Sequence, residues 1–415
     1  MRYITMFKRI LISALTVLLL TAGLSAAVSE PVLALAREAI PDIPDGETAS
    51  GRTYVYKGQD YSRVFSPSYY AAHYPAVKKR CGTDAKKLLR NFVRYGMKKG
   101  RRGSASFDVK SYIYGNQDLR IKYKNDLSKY YLHYQNRGYK SAKRKGTAVG
   151  IKRMKDPVTV LKGVDYSPVY DYSYYIKKRP ELLKKYGYRD TRVLKYFVKY
   201  DFPKDFRAKK SISKSDRAEM LRRLIARDLP ATDTASKTKQ IIVVVDHDLS
   251  LWQKTADGSW KRAFRAYCGY GKNGFSANRH EGDKTTPVGS FPILHAFGTA
   301  DDADTDMNWK QITENSYWSG EPGSYNTWVE SPYRISGEHL IDYYQYKYAM
   351  AIGFNRNPTV RGKGSAIFLH CRSTDHWYTA GCIGVREKYM KRLLKACRNG
   401  TYIIMVPKES DLKKY

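Results

Sequence analysis

The hydrophobic pattern of the chain begins with an apolar segment behind a basic start. Residues 10–28 carry no charge and are mostly apolar, and Arg2, Lys8 and Arg9 precede them. A basic start, an apolar stretch and small residues after it are typical of an export signal, and a stretch of this length can also span a bilayer. The sequence therefore predicts a signal peptide or an N-terminal membrane anchor over residues 1–36. It places the rest of the chain outside the cytoplasm, in the cell wall or anchored at the cell surface, and in contact with a membrane only through this segment.

Residues 51–230 show a different pattern, in which apolar positions recur three and four residues apart. This spacing predicts short amphipathic helices. The stretch YSRVFSPSYY at 61–70 returns as YSPVYDYSYY at 166–175, and a weaker copy lies between them. Each unit is about 42 residues long, and such self-similarity indicates a repeat architecture. We therefore expect small α-helical repeat modules of two helices each.

Tyrosines recur at equivalent positions of these copies, as Tyr70, Tyr112 and Tyr175 do. Such positions favour a role in a small core, since the ring packs inside while the hydroxyl reaches the surface. Stacking of the rings on sugars is the alternative. The layout resembles the tyrosine-rich repeats of surface proteins from Gram-positive bacteria, and this resemblance specifies no ligand.

The positive charge of the chain lies in the same region. The whole sequence has a formal net charge of +36: residues 1–50 carry −1, residues 51–230 carry +31 and residues 231–415 carry +6. A strongly basic surface attracts anionic polymers. Because an exported chain rarely meets nucleic acid, we expect no nucleic-acid partner and predict attraction to anionic wall polymers through residues 51–230. A solvated surface that only favours solubility is the other interpretation. The polar stretch 231–239 is expected to be a linker.

From residue 240 the pattern changes to strands. A β-branched run at 241–245 is followed by a second apolar run, and Asp257-Gly258 is typical of a hairpin turn. Further strands are expected up to residue 407, with an irregular polar stretch to about residue 325 and one helix at 388–400. The sequence thus predicts a multidomain chain whose C-terminal domain, 240–407, is mostly β.

Candidate chemistry is concentrated in HCRSTDHWYTAGCIGV, residues 370–385. A cysteine needs a neighbouring imidazole to act as a nucleophile near neutral pH, and Cys382 and His370 can meet if they lie on adjacent strands. This chemistry needs no metal and no cofactor. The alternatives are His376 as the base, an inert buried thiol, and a zinc site built from His370, Cys371, His376 and Cys382. Alternating acids at 301–309 raise calcium as a further alternative, although the glycine and distal glutamate of an EF-hand loop are missing.

Three segments in order carry a family resemblance: GDKTTPVGSF at 282–291, IFLHC at 367–371 and TAGCIGV at 379–385. Together they resemble the YkuD-type catalytic domain of L,D-transpeptidases. The resemblance implies that Cys382 is the nucleophile, that His370 takes its proton, that Gly381 contributes to an oxyanion hole and that Thr379 supports the motif.

The resemblance also implies a reaction on peptidoglycan stem peptides. The cysteine would form an acyl-enzyme with release of D-alanine, and transfer to an amine would give 3–3 cross-links. Transfer to water would make the protein an L,D-carboxypeptidase. His280, Tyr378 and Cys371 are the expected substrate-binding residues.

The chain departs from the commoner motif of this family in two places. Ala380 and Gly384 stand where that motif has a histidine and an arginine, and the gap from His370 to Cys382 is shorter than usual. A wall-binding surface protein with a decayed catalytic domain is therefore the competing hypothesis. Five cysteines in an exported chain leave at least one of them free.

Overall fold

The computed structural model describes residues 54–415. The predicted signal or anchor at 1–36 lies outside these residues. Within the described part, no helix combines the length and the apolar character needed to cross a bilayer.

The N-terminal part of the described chain is helical, as expected, and its helices fall into three groups. Each group has three main helices rather than two, most of them only seven residues long. Side chains that accept a backbone amide begin several of them, including those of Ser66, Asp84, Asp108 and Asp171. The helices are α1 Pro67–His73, α2 Pro75–Cys81, α3 Ala85–Asn91, α4 Val109–Gly115, α5 Gln117–Tyr123, α6 Leu127–Asn136, the short α7 Ala142–Lys145, α8 Tyr172–Lys178, α9 Pro180–Tyr186 and α10 Asp190–Tyr196.

The first and third groups share the same succession of elements. Each opens with a two-residue hairpin, β1 Val55–Tyr56 with β2 Gln59–Asp60 and β3 Val160–Leu161 with β4 Val164–Asp165. Each closes with a π-helical turn, at Phe92–Gly96 and at Phe197–Asp201.

Tyrosine rings form the core of this helical region. Tyr70, Tyr112 and Tyr175 are all fully buried, which confirms the core interpretation for these positions. Tyr70 packs edge-on against Phe92 and Tyr175 packs likewise against Phe197, with ring centroids 5.3 Å apart in both pairs. Such rings are closed to a sugar ligand, because their faces are already covered by other aromatic side chains.

A longer helix, α11 Lys214–Asp228, joins the helical region to the sheet. Ser213 and Asp216 form a capping box at its start. The expected linker at 231–239 is folded, since α12 Asp233–Lys237 follows and the amide and hydroxyl of Thr234 both donate to the carbonyl of Tyr415. The two regions are therefore joined by an ordered connection.

The C-terminal part is mostly β, as predicted, and is built on one nine-stranded sheet. The sheet closes on itself into a barrel-like form, because the long strand at 289–298 pairs with residues 349–352 through its second half and with residues 402–405 through its first half. In sheet order the strands are β11 Trp309–Gln311, β10 Gly289–Gly298, β15 Ala349–Ile352, β16 Phe368–Cys371, β17 Ile383–Val385, β7 Trp260–Gly269, β6 Asp248–Lys254, β5 Gln240–Val245 and β18 Tyr402–Val406. A short parallel pair, β8 Phe275–Ser276 and β9 Thr286–Pro287, lies beside it, and α13 Glu387–Ala396 covers one face.

The stretch up to about residue 325, which was expected to be irregular, contains the first strand of a second sheet. This sheet consists of β12 Ser316–Ser319, β13 Thr327–Glu330 and β14 Gly337–His339. This three-stranded sheet supplies Trp318 and Glu338 to the cavity described below.

The alternating acids at 301–309 have another role than calcium binding. Three of them pair with basic residues on or just after α13, as Asp302–Lys391, Asp304–Lys395 and Asp306–Arg398. Carboxylates spaced two apart in an extended loop match cations spaced three and four apart on a helix face. The loop is thus held to the helix by ion pairs, and its acids do not converge on an ion.

One buried ion pair links the second and third helical groups and generates a stability prediction. Arg120 and Asp190 lie 3.3 Å apart and are each 2% exposed. Asp190→Asn should lower the free energy of unfolding by about 3–5 kcal/mol, because it leaves the Arg120 charge buried without its partner. Urea unfolding followed by circular dichroism measures this.

The matched control is Asp118→Asn, which breaks the partly exposed pair with Arg144, where the carboxylate side chain is 62% exposed. It should cost less than about 1 kcal/mol. Equal losses of unfolding free energy in Asp190→Asn and Asp118→Asn would show that burial of the Arg120–Asp190 pair does not increase its effect on stability.

Candidate active site

A cavity of about 830 Å³ opens between the barrel-like sheet and the three-stranded sheet, and both Cys382 and His370 line it. His370 lies on β16, and Cys382 directly precedes β17, the parallel neighbour of β16. The two residues that the sequence singled out for nucleophile and base therefore share one cavity.

Strand register explains why these two side chains face the same cavity and Cys371 does not. Leu369 pairs with Ile383, so alternation places Cys382 and His370 on one face of the sheet and Cys371 on the other. The Cys371 thiol donates to the Tyr348 carbonyl at 3.7 Å inside a separate apolar cluster. The expectation that Cys371 binds substrate is corrected by this alternation, and the four-ligand zinc alternative loses one of its ligands.

The thiol of Cys382 is buried and engaged with the backbone of the neighbouring strand. Its Sγ accepts the Phe368 amide at 3.3 Å, and the thiol donates to the Ala366 carbonyl at 3.2 Å. Burial, together with the nearby Glu338 carboxylate, raises the pKa of Cys382 to about 12. At neutral pH the resting side chain is thus a thiol rather than a thiolate.

The imidazole of His370 is fixed in one tautomer. Its Nδ1 lies 2.8 Å from the Cys371 carbonyl, which only accepts, so Nδ1 carries the hydrogen and Nε2 is left as an acceptor. The Tyr346 ring packs edge-on against the imidazole at 5.5 Å. Burial lowers the pKa of His370 to about 4, so the ring is neutral near pH 7 and Nε2 keeps its lone pair.

The turn before the nucleophile depends on Gly381 and two threonines. Gly381 has φ +146°, and a Cβ there would lie 2.9 Å from the Thr285 carbonyl oxygen, so the position requires glycine. The Gly381 amide donates to the Thr379 hydroxyl at 3.1 Å, and that hydroxyl donates to the Cys382 carbonyl at 2.6 Å. In this arrangement the Gly381 amide is already used, and the Thr379 hydroxyl bridges the two ends of the turn.

Thr286 is a residue that sequence reasoning did not single out. It is fully buried; its hydroxyl donates to the Gly381 carbonyl at 2.7 Å and accepts the Gly271 amide at 2.9 Å. The threonine of the quoted TTPVG stretch thus ties that segment to the nucleophile turn. The motif contained the residue, but only the fold shows what it holds.

The remaining expected residues divide between the cavity and the surface. Tyr378 lines the cavity, and its ring stacks on His376 with centroids 3.9 Å apart. His376 points its Nδ1 at the Tyr378 carbonyl at 2.8 Å. His280, expected in the substrate groove, does not line it, and its side chain is 75% exposed. Its neighbours Arg279 and Glu281 line the cavity in its place.

A half-buried residue, Glu338, lines the same cavity and was not predicted. It accepts the Tyr346 hydroxyl at 2.6 Å, and burial raises its pKa to about 7. No periodic pattern pointed to it, because it lies on the short strand β14 that the sequence did not predict.

Glu338→Gln should remove a pH-dependent part of the stability. The pKa of Glu338 rises from its ordinary value of 4.5 to about 7 on folding, so between these values the folded chain binds more protons than the unfolded one. This contribution is fully present below about pH 4.5 and is lost as the pH rises through about 7. Urea unfolding at intervals from about pH 4.5 to about pH 8 should show a smaller fall in stability for Glu338→Gln than for the wild type.

The control for that experiment is Glu314→Gln, which removes an exposed carboxylate from the same part of the chain. Between about pH 4.5 and about pH 8, this variant should lose as much stability as the wild type does. An identical fall for the wild type and Glu338→Gln would contradict the raised pKa.

Comparison with protein families identifies the C-terminal region. Residues 238–406 match the model of the YkuD family, the L,D-transpeptidase catalytic domain. No curated protein matches the chain.

Solved structures with a similar region are at most distant relatives. The helical cell shape determining protein Pgp2 from Campylobacter jejuni is 15% identical to this chain. The match covers 46% of this chain and 60% of the Pgp2 chain, with a TM-score of 0.25. An L,D-transpeptidase from Stackebrandtia nassauensis is 14% identical and covers 41% and 57%, with a TM-score of 0.21. An Enterococcus faecium L,D-transpeptidase mutant is 16% identical and covers 41% and 50%, also with a TM-score of 0.21.

The chain thus spans about half to three fifths of the length of these structures. The family match and the strand order agree on the extent of the barrel-like domain. Residues 238–406 therefore carry a YkuD L,D-transpeptidase catalytic domain.

Proposed function

We propose that this protein is an exported L,D-transpeptidase that forms 3–3 cross-links between peptidoglycan stem peptides. The observation that carries the proposal is the placement of Cys382 and His370 on the same face of adjacent parallel strands, in a cavity of about 830 Å³. The family match over residues 238–406 supplies the reaction class and the substrate class.

The proposed reaction starts from a neutral thiol and a neutral imidazole. Cys382 turns from the Ala366 carbonyl toward His370, and its sulfur attacks the carbonyl before the terminal D-alanine while Nε2 takes the thiol proton. A C–S bond forms, the C–N bond to D-alanine breaks, and the proton passes from His370 to the leaving amine. The product of this half-reaction is a thioester and free D-alanine.

The acceptor in the second half-reaction decides whether the enzyme is a transpeptidase or a carboxypeptidase. An acceptor amine attacks the thioester, gives its proton to His370, and returns Cys382 as a thiol with a new amide bond. Water in place of the amine gives an L,D-carboxypeptidase, which is the alternative within the same mechanism. A neutral His370 is needed in both cases, and its lowered pKa keeps it neutral down to about pH 4.

Substrate contact is proposed for Tyr378, which lines the cavity beside the motif. Thr379 and Gly381 are proposed to hold the nucleophile turn in shape. An oxyanion donor from Gly381 requires its amide to leave the Thr379 hydroxyl when substrate binds.

The helical region is proposed to hold the enzyme at an anionic wall polymer. Its net charge is high, lysines such as Lys78 and Lys79 are exposed, and the repeated tyrosines Tyr70, Tyr112 and Tyr175 are buried. Charge is therefore the proposed means of attachment. This placement agrees with an extracytoplasmic enzyme that acts on peptidoglycan.

Replacement of the nucleophile tests the reaction. Cys382→Ala should abolish release of D-alanine from tetrapeptide stems, because no other thiol shares the cavity with His370 among the described residues. Cys371→Ala, on the opposite face of the sheet, should keep most of the activity. Mass spectrometry of muropeptides after incubation with pure protein measures both products, the 3–3 dimer and the tripeptide.

Activity in Cys382→Ala together with loss in Cys371→Ala would overturn the assignment of the nucleophile. A wild-type protein that releases no D-alanine would favour the wall-binding protein with a decayed catalytic domain. A tripeptide product without dimers would favour the carboxypeptidase.

Attachment through charge predicts binding to walls that weakens with salt. The inactive Cys382→Ala chain should sediment with purified walls at about 0.1 M salt and much less at about 1 M, because the screening length falls from about 10 Å to about 3 Å. Walls stripped of teichoic acid should bind less.

Two double variants separate the helical region from the catalytic domain in this assay. Lys78→Glu with Lys79→Glu should weaken binding, whereas Lys388→Glu with Lys408→Glu, also exposed but on the catalytic domain, should not. Binding that survives both high salt and removal of teichoic acid would contradict the electrostatic account and favour carbohydrate recognition.

A further inference from the structure

Arg279 is a buried cation whose charge is poorly compensated. Its side chain is 3% exposed, and two of its three nitrogens, Nε and Nη1, have no hydrogen-bond partner. Its Nη2 lies 3.6 Å from an Asp283 oxygen, which is beyond hydrogen-bond distance. Buried guanidinium groups are normally paired and hydrogen-bonded, because leaving one unpaired is costly.

The acidic neighbours are already committed to other donors. Asp283 accepts the amide and hydroxyl of Thr285 and the amide of His280. Glu281 accepts the hydroxyls of Tyr325 and Ser365. Neither carboxylate is free to form a two-pronged pair with Arg279.

The position of the guanidinium connects it to the nucleophile. Arg279 lines the same cavity as Cys382. Its Nη2 lies 3.5 Å from the point where a Cβ on Gly381 would stand, and Gly381 directly precedes Cys382. A Cβ on Gly364 would stand 2.2 Å from Nη1, so glycine at that position leaves the room that the guanidinium occupies. The face of the Phe354 ring supports the cation at 5.3 Å.

We infer that Arg279 binds the free carboxylate of the residue that leaves, the C-terminal D-alanine of the donor stem peptide. This inference rests on the proposed function. In an extended dipeptide the terminal carboxylate carbon lies within about 4 Å of the preceding carbonyl carbon, so an anion beside Gly381 places the scissile carbonyl beside Cys382. A guanidinium suits this task, because it stays charged when buried and its fixed planar fork holds Nη2 beside Gly381, where that nitrogen can donate to a carboxylate oxygen. Lys272, Lys284 and Arg361 line the same cavity and favour the entry of an anionic peptide.

The experiment compares two donors in the full chain: a stem tetrapeptide that ends in D-alanine and the same peptide with a C-terminal carboxamide. The wild type should prefer the free acid by about 10- to 100-fold in kcat/KM, the range expected for a hydrogen-bonded ion pair. Arg279→Gln should lose this preference by slowing only the acid. Arg279→Lys, which keeps the charge without the fork, should retain part of it.

A control variant and a folding check keep the result specific. Arg334→Gln removes an exposed arginine of the same domain and should keep the full preference for the acid. Circular dichroism reports whether Arg279→Gln is folded, and if it is not, the ratio for Arg279→Lys decides. Equal losses on acid and amide would assign Arg279 a structural role and overturn the inference, as would a wild type that processes both donors equally.

Binding to the Cys382→Ala chain separates this inference from the proposed reaction. Isothermal titration should show tighter binding of the acid than of the amide, and Arg279→Gln should abolish the difference. If the acid binds more tightly than the amide but the wild type shows no turnover, the carboxylate site is supported and the proposed reaction is wrong. Turnover without any preference leaves the reaction standing and overturns the site, and neither turnover nor binding overturns both.

Discussion

The parallel pairing of β16 with β17 is the constraint on which the candidate site depends. Leu369 opposite Ile383 fixes which side chains share a face, and a slip by one residue would send Cys382 to the side now held by Cys371. The same pairing buries the thiol and the imidazole, which keeps both neutral at rest. Without a bound substrate, the buried thiol and imidazole are therefore both neutral and unreactive.

The short segment between β16 and β17 packs closely against β7. A Cβ on Gly269 of β7 would stand 1.6 Å from the Trp377 carbonyl oxygen, so only glycine allows the segment between His370 and Cys382 to lie this close. Thr286 and Thr379 then hold the turn into the nucleophile with hydrogen bonds. The unusual gap length read from the sequence is thus accommodated by packing outside the motif itself.

The sequence predicted those parts of the molecule that depend on local patterns. Apolar and β-branched runs predicted a mostly β domain over residues 240–407, and apolar positions three and four residues apart predicted the short helices before it. His370 and Cys382 could be singled out because nucleophile chemistry restricts residue types. Arg279 and Glu338 could not, since each owes its significance to burial by segments distant in the sequence. His280 was chosen over its neighbour Arg279 because an isolated sequence does not show which of two adjacent side chains turns inward.

In the proposed reaction a single thiol, that of Cys382, forms a covalent acyl-enzyme with the help of His370. A carbapenem offers a strained amide carbonyl whose ring opens without a leaving group, so attack should add the whole mass of the drug. Intact-mass spectrometry should show a single adduct on the wild type and on Cys371→Ala, and none on Cys382→Ala. Absence of any adduct on the wild type after prolonged incubation, or an adduct that persists in Cys382→Ala, would contradict this account.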